Sequence, residues 1–222
     1  MTIRALLFDI DGTLVDSNDA HVEAWDRVFR EAGHAFSREQ LHDQVGKGGD
    51  NYVPALLPDL PEDEQERLAA RHGPIYKAEH LPHVRPFAGA RDVIVRAKQD
   101  GLKVALASSA KGEELDHYLD LLDARNLIDG TTSKDDVEAS KPDPDIFQAA
   151  LDKLGVRPDE ALVIGDTPYD IDAARRCGIG TVAVLSGGFP KESLTDAVAI
   201  YRDVAELLAQ WDTSPIRRDT KN

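Results

Sequence analysis

Leu6–Leu7–Phe8–Asp9–Ile10–Asp11–Gly12–Thr13–Leu14 is an apolar run that stops at two carboxylates and a glycine. It reads as a buried strand that ends in chemistry. Strand side chains alternate with period two, so Asp9 and Asp11 project to the same side, and Gly12 lets the backbone turn away beyond them. Two carboxylates in one small space repel each other. Both stay ionised at neutral pH only beside a cation, unless one takes a proton. A few anionic oxygen ligands suit Mg²⁺, which keeps room for waters and a substrate phosphate. Alone, such a pair reads better as a strand end whose aspartates cap the next turn. Three later stretches reverse that preference.

The chain has 222 residues and 41% hydrophobic content, enough for a full core: one large domain, or one with a small insertion. Its formal net charge of −15 argues against nucleic acid and against an anionic membrane surface, which both need clustered Lys and Arg. The single cysteine, Cys177, excludes an internal disulfide and reads as a small buried core residue. With no apolar leader or membrane span legible, the expectation is a cytoplasmic protein, monomer or homodimer.

After Asp16–Ser17, Val22, Trp25, Val28, Phe29 and Ala32 recur at helical spacing, and Gly33 closes that helix. Helices follow around Arg38–Gln44, near Tyr52–Leu57 and from Pro61 to Ala78, with a mobile turn at Gly46–Lys47–Gly48–Gly49. The predicted organisation is therefore an all-helical cap domain, 16–85, inserted into a core of 1–15 and 86–222. Beyond Pro86 the pattern alternates. Leu102–Ala107 is a strand ending at Ser108–Ser109, a weaker strand lies near Ile128–Thr132, Ala161–Ile164 ends at Gly165–Asp166, and Thr181–Leu185 is another. Helices separate these strands, and one near Val204–Trp211 precedes a loose charged tail, Asp212–Asn222. The fold class is α/β, a Rossmann-like parallel sheet with helices on both faces.

Ligands of open parallel sheets bind at the carboxyl ends of the strands. Here those ends carry Asp9 with Asp11, Ser108 and Asp166, and Lys141 follows the weaker strand. Aspartates from two strands hold Mg²⁺, and a hydroxyl and a lysine converge on an anion, which points to a phosphate. Asp9 is placed to attack phosphorus and form an aspartyl phosphate, with Asp11 as acid and base. No GxxxxGK[ST] loop is present, which counts against a P-loop enzyme.

In order, Asp9–Ser17, Ser108, Lys141–Pro142 and Gly165–Asp170 resemble the four motifs of the haloacid dehalogenase-like hydrolases, over the whole chain. The likeness is greatest to the helical-cap branch that includes phosphoglycolate phosphatase and β-phosphoglucomutase. The resemblance implies that Thr13, Ser108 and Lys141 bind phosphate. It implies an Mg²⁺ site of Asp9, Asp166, the main-chain oxygen of Asp11, and Asp170 directly or through water. Asp11 disfavours the dehalogenase and phosphonatase members, which lack a second aspartate. His21 matches a histidine that lies near the acid/base in β-phosphoglucomutase-like members, or is a partly exposed helix residue. Lys47 reaches a substrate's second anion when the cap closes, or is solvated. The acidic residues Glu62–Asp63–Glu64 and Glu113–Glu114 complement helix N-termini and carry no catalytic expectation. The expected function is a Mg²⁺-dependent phosphatase for a small phosphorylated metabolite, with a phosphomutase or an inactive binding protein as alternatives.

Overall fold

A computed structural model describes residues 2–110 and 112–217. The opening run forms β1 (Ala5–Phe8), and the chain then makes a tight loop into β2 (Val15–Asp16). Four helices follow: α1 (Asn18–Glu31), α2 (Arg38–His42), α3 (Gly49–Leu56) and α4 (Glu62–Glu79). The chain returns through β3 (Arg85–Pro86), which pairs antiparallel with β2, Val15 against Pro86 and Asp16 against Arg85. Alternation then begins with α5 (Ala90–Gln99), β4 (Lys103–Ala107), α6 (Gly112–Leu121), β5 (Gly130–Thr132) and α7 (Asp145–Leu154). It ends with β6 (Ala161–Gly165), α8 (Pro168–Arg176), β7 (Gly180–Val184), β8 (Ala199–Tyr201) and α9 (Val204–Ala209).

The main sheet is six-stranded and parallel, in the order β5-β4-β1-β6-β7-β8. β1 is central, with Phe8 opposite Leu106 on one side and Ile164 on the other. Both faces of such a strand must be covered, which is why the run is apolar at every position. Leu6 and Phe8 pack in the cluster that includes Val93, Ile94, Leu115 and Leu207. Ala5 and Leu7 pack in the opposite cluster with Phe147, Ala150, Leu151 and Ala174. Helices α1–α4 hold an apolar cluster of their own, centred on Trp25, Phe29, Tyr52 and Leu68.

Several features differ from the reading of the sequence. The two-residue ribbon β2–β3, the edge strand β8 and the helix α8 carry too few periodic apolar residues to announce themselves. The predicted loose tail is packed up to residue 217: Ser214 and Ile216 are buried, and Asp212 pairs with Arg96 at 2.6 Å. The remainder of that predicted tail, 218–222, lies outside the described residues. Cys177 is half-buried, its thiol donating to the Pro144 carbonyl at 3.3 Å, because it sits just past the end of α8. Among the described residues no helix is long and apolar enough to cross a membrane.

Candidate active site

β1 ends at Phe8, but Asp9 keeps the sheet's pairing for one more bond, its N–H donating to the Ile164 carbonyl at 2.9 Å. That bond fixes the Asp9 side chain at the carboxyl edge of the sheet, beside the ends of β4 and β6. Gly12 sits at φ +78, and a Cβ there would lie 2.2 Å from Asp166 Oδ2. Glycine is therefore required twice, for the left-handed turn and for the close approach.

Lys141 comes from the loop after β5 and is almost completely buried. Its ammonium donates to Asp9 Oδ1 and to the Ala107 carbonyl at 3.2 Å, and pairs with Asp170 Oδ1 at 2.8 Å. Burial works against the charge, but Asp170 and Asp9 outweigh it and raise the ammonium above its ordinary pKa. Asp170 is held by a capping box at the start of α8, accepting from Thr167 N at 3.1 Å and Thr167 Oγ1 at 2.7 Å. Asp166 accepts from Thr13 Oγ1 and from Asn18 Nδ2, each at 3.0 Å.

Asp9, Asp166 and Asp170 each offer an oxygen, and these atoms lie within 4.8 Å of one another. Three buried carboxylates against one ammonium leave two negative charges. Burial pushes Asp9 up to about 7, with Asp170 and Asp11 adding to the rise and Lys141 opposing it. Burial, with Asp9 and Asp170, also drives Asp166 well above the usual carboxylate range. Without a cation the cluster must take up protons; a divalent oxygen-seeking ion neutralises it. The donor set therefore fits Mg²⁺.

Asp11 has a different environment. Its carboxylate lies outside that cluster, and its Oδ1 accepts from Ser17 Oγ at 2.6 Å, Tyr118 OH at 2.7 Å and His21 Nε2 at 3.1 Å. These donors occupy the Asp11 side chain, and the metal expectation for Asp11 concerns its main-chain oxygen. Burial tends to raise Asp11, but His21's charge and these three donors outweigh it and hold Asp11 at about 2. His21 is raised in turn: burial disfavours its charge, and Asp11 more than compensates. On its other side His21 Nδ1 lies 3.3 Å from His72 Nε2 and the ring stacks on Tyr76 at 3.9 Å.

The remaining predicted residues are placed as follows. Ser108 is fully buried and its Oγ accepts from Ala110 N at 3.0 Å, which leaves its own proton to donate. Thr13 gives its hydroxyl proton to Asp166 and its N–H to the Ile10 carbonyl, so it braces a carboxylate of the cluster. Lys47 lies on the wall of the cavity described below. Its Nζ donates to Gln44 Oε1 at 2.6 Å and lies 4.5 Å from the Tyr169 ring centre. A cavity of about 720 Å³ opens over the site, lined by residues including Asp9, Asp11, His21, Lys47, His72 and Ser109.

Tyr118, Ser17, Asn18 and His72 escaped the reading of the sequence as site residues. Ser17 stands at the helix start read from the sequence. The available signal was a polar tip on an otherwise buried face, as for Tyr118, whose hydroxyl is also 2.7 Å from Tyr76 OH. Glu114, expected only to favour a helix terminus, is buried and lines the cavity.

The sequence profile of the haloacid dehalogenase-like hydrolases matches residues 6–184. Validoxylamine A 7'-phosphate phosphatase of Streptomyces hygroscopicus subsp. limoneus is 28% identical over 204 residues, 92% of this chain and 95% of its own. Phosphoglycolate phosphatase of Aquifex aeolicus is 28% identical over 186 residues, 83% of this chain and 86% of its own. The crystal structure of a hydrolase from Pseudomonas syringae superposes with a TM-score of 0.88 at 32% identity, covering 95% of this chain and 98% of that one. With a profile match spanning most of the chain, from the strand that carries Asp9 to the end of β7, the protein belongs to the haloacid dehalogenase-like hydrolase family.

Proposed function

We propose that the protein is a Mg²⁺-dependent phosphatase that hydrolyses a small phosphomonoester through an aspartyl phosphate on Asp9. The observation that carries this reading is that Asp9 belongs both to the buried carboxylate–lysine cluster and to the wall of the cavity. A nucleophile must do both, meeting substrate on one side and being held by fixed charge on the other.

In this reading an Asp9 oxygen attacks phosphorus, the bond to the leaving oxygen breaks, and the leaving oxygen takes a proton from Asp11. His21 holds that proton in the resting pair and passes it to Asp11 for the transfer, so that Asp11 is left ionised to take the proton of water, which it returns to His21. Water then attacks phosphorus, Asp11 accepts its proton, and the bond between phosphorus and Asp9 breaks. Lys141 and the Ser108 hydroxyl hold the phosphoryl oxygens, while Thr13 and Asn18 keep Asp166 in place. Asp9, Asp166, Asp170 and the main-chain oxygen of Asp11 would hold Mg²⁺, which when bound offsets the negative charge of the carboxylates and phosphate.

Residues 16–85 act as the cap over a core of 1–15 and 86–222, with the β2–β3 ribbon as the crossing point. The cap brings His21 and Lys47 to the cavity. The relatives named above act, by their names, on phosphoglycolate and on validoxylamine A 7'-phosphate, which supports a phosphate ester of a small molecule as the substrate. His21 against Asp11 favours one second reading, a phosphomutase that returns the phosphoryl group to a sugar phosphate.

The test is phosphate release from a panel of phosphoglycolate, hexose phosphates and nucleotides. The expected result is release with Mg²⁺ and none in excess EDTA. Isomerised sugar phosphate without release identifies the mutase, and undiminished release in EDTA contradicts the metal assignment.

A further inference from the structure

The cap and the core meet at a second place, away from the reacting atoms, on the loop that carries Lys141. Asn51, in the first turn of α3, donates through Nδ2 to the carbonyls of Ser140 at 2.9 Å and Lys141 at 3.3 Å. Its neighbour Asp50 accepts from the Ser140 N–H at 3.1 Å through Oδ2, and the same oxygen accepts from Lys134 Nζ at 2.7 Å. Lys134 also donates to the Glu138 carbonyl at 2.8 Å, so Asp50 reaches both ends of the segment that leads into Lys141. Gly48 fits against this loop with no room to spare: a Cβ there would lie 2.1 Å from the Ser140 Oγ, a buried oxygen without a hydrogen bond. Gly48 has φ −72 and ψ 163, which any residue adopts, so its glycine serves the contact and not the conformation.

We infer that Asp50 and Asn51 are positioning residues that set Lys141 from the cap, so that the ammonium is fixed on Asp9 only when the cap is shut. The inference rests on the reading of Lys141 as a group that holds the phosphoryl oxygens. Neither Asp50 nor Asn51 hydrogen-bonds to Asp9, Asp166 or Asp170; Asn51 acts on the two peptide groups from which the Lys141 side chain extends, and Asp50 on the peptide group before them. Lifting the cap removes three hydrogen bonds from residues 140–141 and loosens the backbone of the lysine, while Asp9, held through its N–H just past the central strand, keeps its place. Phosphoryl transfer responds to misplacement of this kind far more than substrate binding does.

The experiment compares kcat and KM for p-nitrophenyl phosphate with Mg²⁺ in four variants and the wild type. Asn51→Asp keeps the shape and loses both donors, and Asp50→Ala loses the acceptor; each should lower kcat about tenfold while KM changes less than about twofold. Asp50→Asn keeps an oxygen for the Ser140 N–H and should retain kcat within about threefold. That conservative rescue separates positioning from general loss of cap packing. Unchanged kcat in Asn51→Asp and Asp50→Ala, a rise in KM alone, or equal losses in Asp50→Asn and Asp50→Ala overturns the inference. Lys141→Ala tells the two failures apart. If it keeps wild-type turnover, the reading of the site fails; if it loses turnover while Asn51→Asp and Asp50→Ala do not, only the positioning role fails.

Discussion

Asp9 and Asp11 stand two residues apart on one loop and are pulled in opposite directions, Asp9 up to about 7 and Asp11 down to about 2. The difference lies in their neighbours: Asp9 faces other carboxylates, whereas Asp11 collects Ser17, His21 and Tyr118 on a single oxygen. His72 completes the pattern. Burial, then the charge of His21, hold it well below the ordinary imidazole range, so it stays neutral in the fold. Below about pH 6.5 the unfolded chain takes up a proton at His72 that the folded chain refuses. Stability from this residue is therefore whole above that pH and declines as pH falls, by up to about 1.4 kcal/mol per pH unit. His72→Gln keeps an acceptor for His21 and cannot titrate. Its unfolding free energy, measured in urea, should fall less than that of the wild type between pH 7 and 5, by about 1–2 kcal/mol. Parallel declines would show that His72 is not held neutral. Lys47 carries a separate prediction from its place in the cavity wall beside Gln44 and Tyr169. Lys47→Ala should lower kcat/KM on a dianionic ester about ten- to a hundredfold, because a charge-assisted contact is typically worth about 1.5–3 kcal/mol. The loss on p-nitrophenyl phosphate should be far smaller; equal losses on both would make Lys47 a brace for the turn it sits in.

Among the elements, the strands buried on both faces were the most legible. Leu6–Phe8, Val104–Ala107 and Leu162–Ile164 are uninterrupted apolar runs because helices cover both sides of them. Edge elements were not. β8 has three residues with only Tyr201 buried, and the β2–β3 ribbon exists only because its two segments meet across the α1–α4 insertion. α8 begins inside the Asp166–Asp170 motif, so the residues that would have marked a helix start were already read as chemistry. The same split divides the site. Asp9, Ser108, Asp166 and the nearby Lys141 follow from where strands end, which sequence pattern reveals. Asn18, Asn51, His72 and Tyr118 sit on helices whose rotation depends on tertiary packing, which pattern does not reveal. Leu7, fully buried between β4 and β6, tests the packing that holds the strand ends together. Leu7→Ala should cost about 2–5 kcal/mol in urea unfolding, the range for deleting a buried leucine side chain. A cost below about 1 kcal/mol would mean that the sheet is not close-packed there.

At the scale of the molecule, the fold brings charge from distant parts of the chain to one edge of one sheet. Lys141 reaches Asp9 across 132 positions of sequence, and Thr13 reaches Asp166 across 153. The helices α1–α4 supply His21 to Asp11 and Asn51 to the loop of Lys141, so two contacts at this edge come from outside the alternating part of the chain. The overall parallel-sheet class was legible because the alternating rhythm is long, and the helices α1–α4 because they show none of it. The contacts between them were not, since they join single polar residues with no shared period. Turnover by this route requires that Asp9 become phosphorylated. Enzyme mixed with Mg²⁺ and a rapidly turned-over phosphomonoester, quenched in acid during turnover, should yield a peptide containing Asp9 heavier by one phosphoryl group in mass spectrometry. The adduct should be absent from Asp9→Asn, which should also release no phosphate. Phosphate release by Asp9→Asn at a rate near that of the wild type, with no phosphorylated peptide in either protein, would contradict it.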